Sequence, residues 1–245
     1  MIIDEKIFEI LKLLVSAFAG AFFAFLFLRF ADRAKEKRTK RKENAKALCR
    51  IELICNENYN FLNDSVYSID QILKVFKEAR ERKQSPYSEN RLDMLTNDKK
   101  ILLDLLNNNF VNDYFSYTIM IEKHNNDVES INHFHEAMKM ARLTGQITPE
   151  NYMDNMARFE DNIKIFKNLV FDSMNMTEEI IAKCRVLLKD EASLFRKIFP
   201  KNREGYDNNF YKKYESELSL LKEEMTQINK ASKERIEKAL SESKE

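Results

Sequence analysis

Glycine and proline are scarce in this chain, with 3 of each among 245 residues. Average usage would give roughly 7% glycine and 5% proline. Tight turns and β-hairpins depend on both residues, so their scarcity disfavours sheets and favours long helices. The three glycines, Gly20, Gly145 and Gly205, stand alone. Isolated glycines exclude a glycine-rich phosphate loop and a dinucleotide-binding fingerprint.

Cysteine is equally scarce. Cys49, Cys55 and Cys184 form an odd set without the spacing of a zinc knuckle or a redox pair. We therefore expect three free thiols, buried or partly buried, in a reducing compartment.

Histidines and carboxylates offer no catalytic or metal-binding pattern. His124, His133 and His135 do not share a helix face, so we predict no metal site and place them on the surface or at the edge of the core. The adjacent acid pairs at 160–161 and 178–179 are expected to form solvated faces. No residue is assigned a catalytic, metal or cofactor role, so no enzyme activity and no cofactor are predicted.

In contrast, the sequence contains a long run of apolar residues near the N-terminus. Leu13–Leu28 contains no charged residue, and ten of its 16 residues are Leu, Val or Phe. Sixteen helical residues cover about 24 Å, and flanking side chains bring the apolar length close to the ~30 Å hydrocarbon core. We predict a transmembrane helix at 13–30, preceded by a short extracytoplasmic segment, 1–12.

Two alternatives remain open for this segment. A cleaved signal peptide would have a basic start and a small-residue cleavage site, whereas residues 1–12 sum to −1 and the sequence RFADRAK follows the apolar run. A buried core helix is the second alternative. It is disfavoured because five Phe residues between Phe18 and Phe27 lie on nearly all sides of the helix.

A basic segment at 31–44 follows directly. Residues 29–50 carry ten Lys or Arg and three acids, a sum of +7, although the whole chain has a net charge of only +1. The mildly acidic remainder disfavours nucleic acid as a partner. The residues expected to set topology and to contact anionic lipid are Arg29, Arg33, Lys35, Lys37, Arg38, Lys40, Arg41 and Lys42.

The positive-inside rule then orients the chain. The N-terminus is expected outside and the remainder in the cytoplasm, in a single-pass protein of a cell (inner) membrane. The abundance of Asn, Lys and Ile is typical of an AT-rich, bacterial genome.

One face of the predicted membrane helix is made of small residues. Ser16, Gly20 and Ala24 recur every four residues, with Ala17 and Ala21 beside them. Such faces allow helix backbones to approach closely, which predicts self-association or pairing with another membrane helix.

Residues 45–241 show helical periodicity throughout. The pattern predicts an elongated antiparallel bundle of about four long helices, with a frayed tail at 242–245. The first helix continues from the membrane segment to a loop at 83–90. The second is expected to begin near Arg91 or Asn97, with an interruption at the sequence LLNNNFVND near Asn107 as an alternative, and to end before Gly145, a C-cap.

The third helix is expected to begin after the N-cap Thr148 and to run to Pro200, with its weakest point at 175–179. Its expected apolar seam is Met156, Phe159, Ile163, Phe166, Val170, Met174, Ile181, Cys184, Leu188, Phe195 and Ile198. The fourth carries a short coiled-coil-like seam.

Two functional classes fit these features. The first is a membrane-anchored cytosolic scaffold, adaptor or signalling protein that acts through protein–protein contacts. The second is a homo-oligomeric membrane effector, pore-forming or membrane-disrupting and of the toxin or anti-phage type, controlled by its cytosolic bundle. An enzyme with a helical active site is a third and weaker alternative.

Overall fold

A computed structural model describes residues 5–82, 91–97, 108–192 and 206–242. Within these ranges every regular element is a helix: α1 is Glu5–Glu81, α2 is Asn108–Leu143, α3 is Pro149–Ala192 and α4 is Asn208–Glu242. The predicted all-α fold with a helical bundle is confirmed. The chain divides into two units, Met1–Lys46 and Ala47–Glu245.

Within the second unit, α3 runs antiparallel to the other helices. Residues that come later in α1, α2 or α4 contact residues that come earlier in α3. The ion pairs and ring contact that show this are Glu52–Arg185 and Asp70–Lys167 from α1, Asp113–Lys183 and His124–Phe166 from α2, and Lys213–Asp190 and Glu224–Arg185 from α4. This arrangement places α3 in contact with all three of its neighbours.

Helices α1 and α2 run in the same direction. Asn58 of α1 bonds Tyr117 near the start of α2, whereas Phe76 and Phe134, further along each helix, both pack on Phe159 of α3. A bundle of helices joined only by short loops would make consecutive helices antiparallel. Here the consecutive helices α1 and α2 are parallel instead, and the predicted loop at 83–90 lies outside the described residues.

Residues 91–97, which we call the strap, lie between α1 and α2 in the sequence and are not helical. The structure therefore differs from the prediction that the second helix begins near Arg91 or Asn97. Residues 98–107, which the same prediction included, lie outside the described residues. The helix itself begins at Asn108.

The predicted helix ends around Gly145 are confirmed. Gly145 has a φ of 70°, and the N–H of Gln146 donates to the carbonyl of Ala141 at 2.9 Å, the pattern of a Schellman cap. The hydroxyl of Thr148 accepts from the N–H of Asn151 at 3.3 Å, so it caps α3, with Pro149 at the first helical position.

Helix α3 is continuous through its predicted weak point. The hydroxyl of Thr177 donates to the carbonyl of Ser173 at 2.7 Å, within the preceding helical turn. Its hydrogen-bonding capacity is thus used inside the helix rather than at a new N-terminus.

The core lies where the periodic seam predicted it. The buried members on α3 are Met156, Phe159, Ile163, Phe166, Val170, Met174, Ile181 and Cys184. Phe195 and Ile198, also assigned to this seam, lie outside the described residues.

Candidate functional site

The N-terminal apolar segment contains no buried residue among those that the structure describes. Helix α1 is long and apolar enough to cross a membrane, and none of its most apolar 18-residue window is buried. Phe18 is 80% exposed and Phe27 74% exposed. A core helix of a soluble protein would bury such side chains. The structure thus provides one candidate membrane span, while its orientation stays a prediction.

The small residues of this segment lie on one uninterrupted helix. Ser16, Ala17, Gly20, Ala21 and Ala24 are all exposed. A Cβ added at Gly20 would meet no atom within 4 Å. The face is therefore open to lipid or to another helix, and its packing role stays a prediction.

The eight predicted topology residues also lie on α1. Arg41 is half-buried and the other seven are exposed. A rise of 1.5 Å per residue separates Arg29 from Lys42 by about 20 Å along the axis. Attraction to a charged surface is screened over roughly 8 Å at physiological salt. In an upright helix, the residues nearest Arg29 would therefore contribute most to headgroup contact.

A second site lies in the bundle, where three asparagines bind the backbone of the strap. Each side-chain amide accepts from the N–H and donates to the carbonyl of a single strap residue. The pairs are Asn132 with Leu92 at 3.2 and 2.9 Å, Asn125 with Leu95 at 2.7 and 2.9 Å, and Asn58 with Thr96 at 2.7 and 2.9 Å. We call these three side chains, with the adjoining faces of α1 and α2, the asparagine groove.

Two leucines anchor the strap in this groove. Leu92 and Leu95 are each 4% exposed, whereas Asp93 and Met94 between them face solvent. At the start of the strap, the guanidinium of Arg91 meets the carboxylate of Glu136 at 2.6 Å. The groove thus combines main-chain hydrogen bonds, two apolar positions and one acidic position.

The polar network continues from the groove into the core. The amide of Asn58, 0% exposed, also donates to the hydroxyl of Tyr117 at 3.1 Å. Burial raises the pKa of Tyr117 well above its usual value and that of the neighbouring Cys55 thiol to about 12. Both groups therefore stay protonated at neutral pH and act as hydrogen-bonding groups rather than as nucleophiles.

Two carboxylates that we expected in solvent are buried. Glu178 is 7% exposed, and burial raises its pKa. Glu160 is 8% exposed and is paired with Arg80 and Lys164. The prediction of solvated acid pairs is wrong for the first member of each pair, because that member turns toward the neighbouring helices.

His124 is also more buried than predicted. It is 3% exposed, its ring lies 5.2 Å from that of Phe166, and neither ring nitrogen meets a partner in the described part of the chain. Burial lowers its pKa to about 4. His124 is therefore a neutral core residue and not a surface or core-edge histidine.

The burial of the thiols differs from the prediction, which placed all three in buried or partly buried positions. Cys49, Cys55 and Cys184 are all free; Cys55 and Cys184 are buried, but Cys49 is exposed. Among the described residues, no three His, Cys, Asp or Glu side chains are placed to hold a metal ion. The expected absence of a metal or cofactor stays a prediction.

No protein-family model, no curated protein and no solved structure matches this chain. The functional argument therefore rests on the apolar segment and the asparagine groove. Sequence reasoning missed the groove. The sequence contained one indication of the groove: Asn125 and Asn132 are seven residues apart and so share one face of α2.

Proposed function

We propose that this protein is a membrane-anchored helical adaptor, inserted by residues 13–30 and acting through protein contacts of its cytosolic bundle. The uncovered apolar segment is the observation that carries the proposal. Insertion of ten Leu, Val or Phe residues contributes roughly −3 to −6 kcal/mol on the translocon scale. Leaving the same side chains in water would expose a long apolar surface.

The basic residues support an N-out, C-in orientation in a bacterial inner membrane. Cys49 offers a direct test because it is the exposed thiol among three. A membrane-impermeant maleimide should label Cys49 only after the cells are permeabilised, and Cys49→Ser should remove that labelling. Labelling of intact cells at Cys49 would place the bundle outside and contradict this orientation.

The anchor itself is tested by fractionation. The wild-type chain should remain in the membrane pellet after carbonate extraction and move to the detergent phase. Replacing Phe22 and Phe23 by Asp should release it, whereas Phe115→Asp, on the exposed surface of α2, should not. Release of the wild-type chain by carbonate would refute membrane insertion.

Protein contacts are supported by large apolar side chains on the bundle surface. Phe115 and Ile119 are 61% and 52% exposed and lie four residues apart, hence on one face of α2. In-cell photo-crosslinking from position 115 should capture a distinct protein. Crosslinking from position 165, at the exposed Ile165 of α3, is the matched control. Capture of nothing beyond the chain itself would count against the adaptor.

The second candidate function is a homo-oligomeric membrane effector. It is favoured by the five exposed small residues on one helix. Overexpression should then arrest growth and depolarise the membrane, and Gly20→Leu should abolish both effects. Ala19→Leu, on a different face, should preserve them, and harmless overexpression would contradict this function. Neither proposal assigns a reaction to the chain.

A further inference from the structure

We infer that the asparagine groove is a peptide-binding site which the strap occupies in the resting protein. The ligand class is an extended peptide with a basic residue followed by Leu-x-x-Leu. This inference rests on the proposed adaptor function and names the chemistry of one partner for it.

The three asparagines of the groove bind backbone atoms rather than side chains. Each of Asn58, Asn125 and Asn132 makes the paired N–H and carbonyl bonds that a neighbouring β-strand would make. Recognition of extended peptides generally uses main-chain bonds for affinity and pockets for specificity. Any extended segment that has no proline at the three bonded positions can form these six bonds.

Specificity comes from the positions that the strap side chains fill. Leu92 and Leu95 are buried and three residues apart, so two apolar side chains with that spacing are required. The carboxylate of Glu136 meets the guanidinium of Arg91, which favours a basic residue immediately before the first leucine. The two residues between the leucines face solvent and are unrestricted.

The strap is a suitable internal competitor because the described segment, residues 91–97, is as short as a linear peptide ligand. Within residues 91–97 the side chains held by the bundle are Leu92, Leu95 and the half-buried Asn97, while the ion pair of Arg91 lies at the surface, where such pairs stabilise little. A partner peptide binds in proportion to the fraction of molecules whose strap has opened. Weakening the strap without altering the groove should therefore increase affinity for a peptide in trans.

The test uses the full-length protein in detergent and a fluorescein-labelled peptide of residues 90–98, Asn-Arg-Leu-Asp-Met-Leu-Thr-Asn-Asp. Fluorescence anisotropy should show that Leu92→Ala/Leu95→Ala protein binds this peptide at least tenfold more tightly than wild type. Adding Asn125→Leu and Asn132→Leu should reduce that binding at least tenfold. Asn126→Leu, an exposed neighbour, is the matched control and should leave it unchanged. A peptide with both leucines replaced by Asp should not bind.

Several results would overturn the inference. One is a folded Leu92→Ala/Leu95→Ala protein that fails to bind the peptide. Another is equal binding after the two asparagine substitutions. A third is dimerisation through exchange of straps between copies, without binding of the free peptide. If the double variant does not fold, as judged by circular dichroism, the single Leu92→Ala variant replaces it with the same expected ordering.

The adaptor proposal can fail separately. If the peptide binds but photo-crosslinking from the bundle captures no partner, the peptide-binding inference is supported and the adaptor function is contradicted. If a partner is crosslinked equally well to Asn125→Leu protein and to wild type, the adaptor function is supported and the peptide-binding inference is contradicted.

Discussion

Burial of His124 makes the stability of the bundle depend on pH. The folded-state pKa is about 4, against 6.5 for an unperturbed histidine, and burial is the main cause. Protonation would place a charge beside Phe166, at a ring whose nitrogens have no partner among the described residues. Between pH 6.5 and 4 the unfolded chain therefore binds more protons than the folded chain. Stability is complete above pH 6.5 and is lost as the pH falls toward 4.

The size of the effect follows from the two pKa values. Their difference corresponds to about 3 kcal/mol when the pH lies below both values. At pH 5 the free energy of unfolding should be about 2 kcal/mol lower than at pH 8. This is a large part of the ~5–15 kcal/mol that stabilises an ordinary domain.

The assay is urea denaturation of the full-length protein in detergent, followed by circular dichroism at pH 8 and pH 5. His124→Leu should lose about 2 kcal/mol less than wild type between the two values. His135, whose pKa burial also lowers, titrates in both proteins and cancels in the difference. His133→Gln, at an exposed position, is the control and should behave like wild type. Equal pH dependence of His124→Leu and wild type would refute the reasoning.

Three further predictions concern the bundle. Gly145→Ala should lower the free energy of unfolding by about 1 kcal/mol, because a side chain is strained at a φ of 70° even though the space around it is open. An unchanged melting temperature would contradict this. Arg185→Met should lower the free energy of unfolding by about 2 kcal/mol, because Arg185 joins Glu52 of α1 to Glu224 of α4. Lys164→Met should lower it by less than about 1 kcal/mol, because Lys164 is exposed and its buried partner Glu160 keeps its pairing with Arg80. Cys55 should resist a thiol reagent until the protein unfolds, since burial raises its pKa to about 12; reaction of more than one thiol per native chain would argue against this packing.

The sequence was sufficient to predict the apolar segment, the helical bundle, the C-terminal end of α2 and the start of α3. Those features depend on local patterns: an uncharged run, a periodic seam, and Gly145 followed by Thr148 and Pro149. The strap was not predicted, because Arg91–Asn97 contains no helix-breaking residue. Its non-helical conformation is set by side chains distant in sequence, chiefly Asn125 and Asn132. Tertiary contacts there override local propensity.

The direction of α2 was missed for the same reason. Assigning the residues after position 90 to a helix left only a short loop between the first two helices, and a short loop implies antiparallel neighbours. The burial of Glu178 also depends on a helix packed against it, which no periodicity within α3 reveals.

The asparagine groove also determines how this protein would diverge from its relatives. Because Asn58, Asn125 and Asn132 hold backbone atoms, the strap can accept many substitutions at its outward positions while keeping its path. Selection should act instead on one asparagine in α1 and two asparagines seven residues apart in α2, together with two leucines spaced by three. A relative would therefore be recognised by this discontinuous set of residues even where no continuous stretch of sequence has been retained.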